Sequence, residues 1–136
     1  MNLKLVRECA SLLDKSRYDE ASQFLAEDCT YHYSEGNYQG RKNIINIYRL
    51  NDLQWKKIFD ETQYTSAVEE TEDGNYRIDF ADKIRKGHRW HEYRSFQLIK
   101  CNDDRITHIE HSEIPGEMDS LRMFFSRPGS DDLNLE

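Results

Sequence analysis

HRWHEYRSFQLIK at residues 88–100, Asp103-Asp104 two residues later, and RITHIEHSEI at 105–114 decide how this chain folds. Both runs are rich in β-branched and aromatic residues, and a two-residue Asp-Asp break between such runs is a hairpin signal. Working back from them, QYTSAVEETE and NYRIDFADKIR are two more runs of the same kind. They are set off by Asp73-Gly74 and Lys86-Gly87, and Pro115-Gly116 stops the last run. Residues beyond about 60 therefore read as four consecutive antiparallel strands.

The first half has a different period. Leu5, Val6, Cys9, Leu12 and Leu13 repeat at helical spacing, which predicts a helix over 2–14. Ser16 precedes a second short helix carrying Tyr18, Ala21, Phe24 and Leu25. CTYHY predicts one strand over 29–34, ending in the turn-rich loop SEGNYQG. Ile44, Tyr48, Asn51, Trp55 and Ile58 mark one face of a longer third helix. EMDSLRMFFSR is expected to add a last helix or an ordered tail, and RPGSDDLNLE is polar and acidic. We expect a single domain over 1–126 and a frayed tail over 127–136. Helices first and antiparallel strands after them mean α+β. Three amphipathic helices covering one face of a strongly curved sheet close a cone, with a pocket between the layers.

Composition narrows the function. A net charge of −7 opposes binding to nucleic acid, whose phosphates need a basic face. No apolar run of about 20 residues is present, so no membrane span is expected. The N-terminus lacks a signal-peptide core, and Cys9, Cys29 and Cys101 are odd in number and scattered. Reduced cysteines in a cytoplasmic protein are the expectation. Aromatics at 12%, with eight Tyr, suit either core packing or an aromatic-lined pocket.

Two motifs carry a family resemblance. FLAEDCTYHYSEGNYQGRKNI and DDRITHIEHSEIPGEMDSLRMFF, in that order, resemble the first strand with the following helix start, and the last hairpin with its PGE ending, of the nuclear transport factor 2-like or SnoaL-like superfamily. The resemblance covers about residues 3–126 and implies the cone fold. It implies little about activity, because this fold hosts isomerases, cyclases, dehydratases, hydrolases and adaptors. Ketosteroid isomerase chemistry is not expected. Tyr33 stands where that enzyme's base Asp would be, Phe96 near its oxyanion Asp, and Cys9 near its helix Tyr. The Asp-Arg-Asp set of limonene epoxide hydrolase has no convincing counterpart. Scytalone dehydratase is matched only in residue types, Tyr and His.

Four of the five histidines form two pairs, His88–His91 and His108–His111. On a strand, residues three apart point to opposite faces, so neither pair can chelate one ion. No metal is therefore expected, and a zinc site built across strands is a distant alternative. No cofactor is expected either, since neither a dinucleotide nor a phosphate-loop motif occurs. If Asp103-Asp104 is a two-residue turn, counting back places Leu98 opposite Ile109, Phe96 opposite His111 and Arg94 opposite Glu113. The resemblance sets the Phe96 and Ile109 face inward. The expected site then has His111 as acid or base, Tyr33 as hydrogen-bond donor and Arg94 as oxyanion partner. Tyr31, Trp90, Glu92, Phe96, Ile109 and Glu113 are expected to line it. Tyr93, Ser95, Gln97 and Ile99 fall on the outer face, where the resemblance implies packing against a second copy, so a homodimer is expected. His88, His91 and His108 are expected at the rim or outside. Against these stand the bland alternatives: a satisfied interior His111 and a structural Arg94–Glu113 pair.

Two functions follow. One is a site for a small, largely apolar, oxygen-bearing molecule, with cofactor-free isomerisation, dehydration or cyclisation as its chemistry. The other is a non-enzymatic homodimeric binding or interaction module, whose cone would be filled by side chains.

Overall fold

The computed structural model describes residues 2–126. The expected tail over 127–136 lies outside the described residues. The elements run α1 (Leu3–Asp14), α2 (Tyr18–Ser22), β1 (Leu25–Tyr33), β2 (Gly36–Gln39), α3 (Arg41–Ile58), β3 (Glu61–Glu70), β4 (Tyr76–Lys86), β5 (Arg89–Asn102), β6 (Arg105–Glu113) and α4 (Glu117–Ser126). One mixed sheet has the order β2-β1-β6-β5-β4-β3. Among the described residues only β1 and β6 are parallel neighbours, and every other pair is antiparallel. The architecture is α+β.

The helical periodicity of the sequence does its work by burial. α1 buries Val6, Cys9, Ala10 and Leu13 on one stripe. They meet Leu25, Ile78, Ile99, Ile106 and Ile109 from the sheet in a single core. A second apolar cluster, Phe59, Ile84, Tyr93, Leu121 and Phe124, forms where α4 packs on the sheet. Burying each such side chain contributes about 1.5–3 kcal/mol.

Two local expectations fail for identifiable reasons. The second helix ends at Ser22, and β1 begins at Leu25 instead of 29. Leu25 pairs with Ile106, and the Phe24 carbonyl accepts from the Ile106 amide at 2.8 Å. Ladder hydrogen bonds override a weak helical pattern there. The SEGNYQG loop forms strand β2, paired from Thr30↔Gln39 to Tyr33↔Gly36. Gly40, at φ 97°, then turns the chain into α3.

The decisive correction lies in the last hairpin. Asp103 and Asp104, at φ 50° and 64°, form the two-residue turn, and Asn102 pairs with Arg105 as the sequence predicts. Cys101 then pairs with Ile106, but Lys100 pairs with His108, leaving Thr107 as the extra residue of a β-bulge. Beyond the bulge the register is Ile99↔Ile109, Gln97↔His111 and Ser95↔Glu113. One slipped residue inverts the facing of β5 relative to β6. Ile109 and His111 keep the inward assignment, while Trp90, Glu92, Arg94 and Phe96 move to the outer face. Tyr93, Gln97 and Ile99, expected outside as a dimer contact, are buried beneath the helices.

Candidate functional site

Between the helices and the inner sheet face lies a cavity of about 370 Å³. Every wall follows from an element already described. α1 supplies Leu13 and Asp14, α3 supplies Tyr48, Asn51, Asp52 and Trp55, and α4 closes one side with Met118 and Leu121. The sheet adds three rungs in register: Tyr64–Asp82–Tyr93, then Phe80–Ser95–Glu113, then Gln97–His111.

The Gln97–His111 end is a hydrogen-bonded relay. Gln97 is 2% exposed. Its carbonyl oxygen accepts from the Tyr48 hydroxyl at 2.8 Å. Its amide nitrogen lies 3.3 Å from His111 Nδ1 and 3.5 Å from the Tyr31 hydroxyl. With that amide donating to Nδ1, the neutral imidazole carries its proton on Nε2. Tyr31 stacks on the His111 ring at 15°. Burial lowers the His111 pKa, and Glu113 only partly offsets this, so the neutral ring is favoured.

The other end is acidic. Asp52 accepts from Tyr64 at 2.7 Å, Ser16 at 2.9 Å and Lys56 at 3.1 Å. Burial raises its pKa, but these hydrogen bonds outweigh it and the net shift is downward. Asp14 accepts from Ser66 at 2.6 Å, yet burial keeps its pKa raised. Asp82 differs from both. No hydrogen bond reaches its carboxyl among the described residues. Burial, reinforced by the charges of Asp14 and Asp52, pushes it up to about 7. On β4, Asp82 lies four residues from the rung that bears His111, about 13 Å along the strand. The cavity thus has a titratable group toward each end, Asp82 at one and His111 at the other.

Of the expected site residues, His111, Tyr31 and Glu113 line this cavity. Ile109 is 2% exposed and belongs to the core beneath it. Arg94 pairs with Glu92 at 2.6 Å on the outer face. Trp90 is 47% exposed, and Phe96 lies under the Arg77 guanidinium at 3.9 Å. Tyr33 faces Tyr38 near the β1–β2 turn, hydroxyl to hydroxyl at 3.3 Å, and does not line the cavity. The expected Arg94–Glu113 pair does not form because those residues sit on opposite faces. His91 is not at the outer face either, since it stacks on Phe124 of α4. His108 meets Thr30 at 2.6 Å.

Sequence reading missed Asp82, Asp52 and Gln97. A signal existed for Asp82, as the alternation YRIDFADKI puts Ile78, Phe80, Asp82 and Ile84 on one face. An acid at a core position of a strand needs a reason. Asp52 carried no comparable signal, because on α3 it sits beside the apolar stripe. Among the described residues no three His, Cys, Asp or Glu side chains converge on a metal position. Nor is any described helix long and apolar enough to cross a membrane.

No family model and no curated protein matches the sequence. Solved structures do. A protein proposed to be a polyketide cyclase, from Xanthomonas campestris pv. campestris, is 13% identical, with a TM-score of 0.65 over 88% of this chain and 98% of its own. An NTF2-like protein of unknown function from Burkholderia pseudomallei is 14% identical, with a TM-score of 0.66 over 88% and 95%. TerC, co-crystallised with polyporic acid, is 10% identical, with a TM-score of 0.66 over 88% and 96%. Together with the mixed sheet and its three covering helices, these likenesses show the chain's fold, an α+β cone like that of the NTF2-like proteins.

Proposed function

We propose that the cone binds a small, largely apolar, oxygen-bearing molecule, and that Asp82 and His111 exchange protons with it. The observation that carries this reading is Asp82. A carboxyl with no hydrogen-bond partner among the described residues, facing a cavity and titrating at about 7, is poised to take or give a proton at neutral pH. At the far end the Nε2–H of His111, oriented by Gln97, would donate to a carbonyl or hydroxyl oxygen. The walls supply aromatic surface for an apolar body, and about 370 Å³ suits a small organic ligand. Isomerisation, dehydration and cyclisation can each be promoted by a group that takes or gives a proton. The polyporic acid in the TerC structure is support by analogy of fold alone.

Binding without turnover is the second reading. It is favoured by the separation of Asp82 from His111, which keeps the two from acting on one bond of a small substrate. Both readings are tested by calorimetric titration of hydroxylated aromatic compounds into wild type, His111→Ala and Asp82→Asn. Mass analysis of each mixture follows. Weakened binding in both variants supports the site, and a changed ligand mass or isomer supports turnover. Equal binding in all three proteins would remove Asp82 and His111 from the site.

A further inference from the structure

We propose that the ligand of this cavity is a cation: an aromatic amine whose ammonium lies against Asp82 and whose oxygen lies toward Gln97 and His111. This rests on the reading of the cavity as a ligand site.

The first support is charge. The lining holds four carboxyl side chains, Asp14, Asp52, Asp82 and Glu113, and no Lys or Arg. Lys56 touches Asp52 from a half-exposed position and does not line the cavity. The lining His111 is biased toward its neutral form. A carboxylate or phosphate ligand would meet four carboxyl side chains and no lining Lys or Arg in a partly desolvated space, which is costly.

The second support is unmet hydrogen bonding. Asp52 is occupied by three donors and Asp14 by one. Asp82 receives none among the described residues. A carboxylate accepts up to about four hydrogen bonds, and an ammonium brings three donors and a compensating charge. An arriving cation also relieves the mutual repulsion of Asp14, Asp52 and Asp82.

The third support is the surrounding surface. Tyr64 and Tyr93 flank Asp82 on the neighbouring strands, and Trp55 packs edge-on against Tyr93 at 5.7 Å. Aromatic faces around a carboxylate are the chemistry by which proteins hold organic ammonium groups. The far end, with its Gln97 and His111 relay, offers neutral hydrogen bonding suited to a hydroxyl or carbonyl. The two ends therefore ask for different functional groups on one apolar body.

Three probes share a phenol and differ in charge: tyramine, 4-ethylphenol and 4-hydroxyphenylacetate. Each is titrated calorimetrically into wild type and Asp82→Asn at pH 7.5. Tyramine should bind wild type at least about tenfold more tightly than 4-ethylphenol, as expected for a charge-assisted pair. The 4-hydroxyphenylacetate should not bind. Asp82→Asn should bring tyramine down to the affinity of 4-ethylphenol. If 4-ethylphenol or the carboxylate binds wild type as tightly as tyramine, the cation proposal is overturned while the cavity stands as a ligand site. If tyramine keeps its advantage in Asp82→Asn, the placement of the ammonium at Asp82 is overturned. If none of the three binds wild type, the proposal and the reading of the cavity fall together. Should Asp82→Asn not fold, the ranking of the three probes on wild type decides the matter.

Discussion

Gln97 and His111 are direct partners across the β5–β6 ladder, with the Gln97 amide nitrogen 3.3 Å from His111 Nδ1. The same side chain accepts from Tyr48, so one buried amide links α3 to two strands. Gln97→Leu keeps the volume and removes both functions. The Tyr48 hydroxyl and His111 Nδ1 are then left without their partner inside the fold, at a cost of about 1–3 kcal/mol each if neither finds water. Urea denaturation should show a lower midpoint with an unchanged slope. A midpoint equal to wild type would mean that the cavity supplies substitute partners from solvent.

Asp82→Asn is expected to stabilise the empty protein. The folded pKa of about 7 lies above the ordinary carboxyl value of 3.8. Between those values the unfolded chain releases its proton and the folded chain keeps it, so this residue's contribution to stability falls as pH rises from about 4 to 7. Above pH 7 the cost is fully present, on the order of a few kcal/mol. Asn cannot ionise, so the variant should gain little near pH 4 and most near pH 8. Thermal unfolding at both pH values measures the difference. A gain of the same size at both would mean that Asp82 is not held neutral.

The bulge at Thr107 lies between the turn and the site. Deleting Thr107 removes the extra residue and leaves an uninterrupted hairpin in which Lys100↔His108, Ile99↔Ile109, Gln97↔His111 and Ser95↔Glu113 still pair, so Ile109, His111 and Glu113 keep their inward facing. Ile109 then stays in the core beside Ile99, so the deletion variant should fold and lose only the local bend that the bulge gives β6. Thr107→Ala keeps the bulge and loses only the hydroxyl bond to the Lys100 carbonyl. It should cost about 1 kcal/mol or less. Circular dichroism should show both variants folded, and loss of the sheet signal in the deletion alone would mean that the bulge is needed for β6 to reach β1.

That bulge also marks the limit of what the sequence reveals. The helical stripe of α1, the third helix, the four β runs and the Asp103-Asp104 turn are all legible, because periods of 3.6 and 2 and paired turn residues are local signals. Cone architecture follows from their order. The inward identity of His111 is reached from the resemblance, but its partners are not. A bulge one residue long leaves no local signature in ITHIE, yet it exchanges Arg94, Phe96 and Trp90 for Tyr93, Ser95 and Gln97. The acidic end is lost for a different reason. Asp14, Asp52 and Asp82 come from α1, α3 and β4, and only tertiary packing brings them to one cavity.

Stability should therefore depend on pH through opposing groups. His111 has a lowered pKa, so as pH falls below 6.5 the unfolded chain takes up a proton before the folded one does. Its contribution is lost as pH falls through that window. Asp52, with its lowered pKa, acts in the same direction at more acidic pH, whereas the raised Asp14 and Asp82 favour the acidic side. The Asp82 and His111 slopes oppose one another between the folded His111 pKa and 6.5. Replacing His111 with Phe removes its acid loss, so stability below pH 6 should fall less steeply than in wild type. Combining it with Asp82→Asn removes both opposing slopes, so the double variant's profile between pH 5 and 7 should lie between those of the two single variants. The two sites are far enough apart for their effects to add within about 0.5 kcal/mol. Chemical denaturation at half-unit pH steps on wild type, both single variants and the double variant tests this. The two single variants should tilt the profile in opposite directions, and single variants that both keep the wild-type slope would show that other groups set the neutral-pH behaviour.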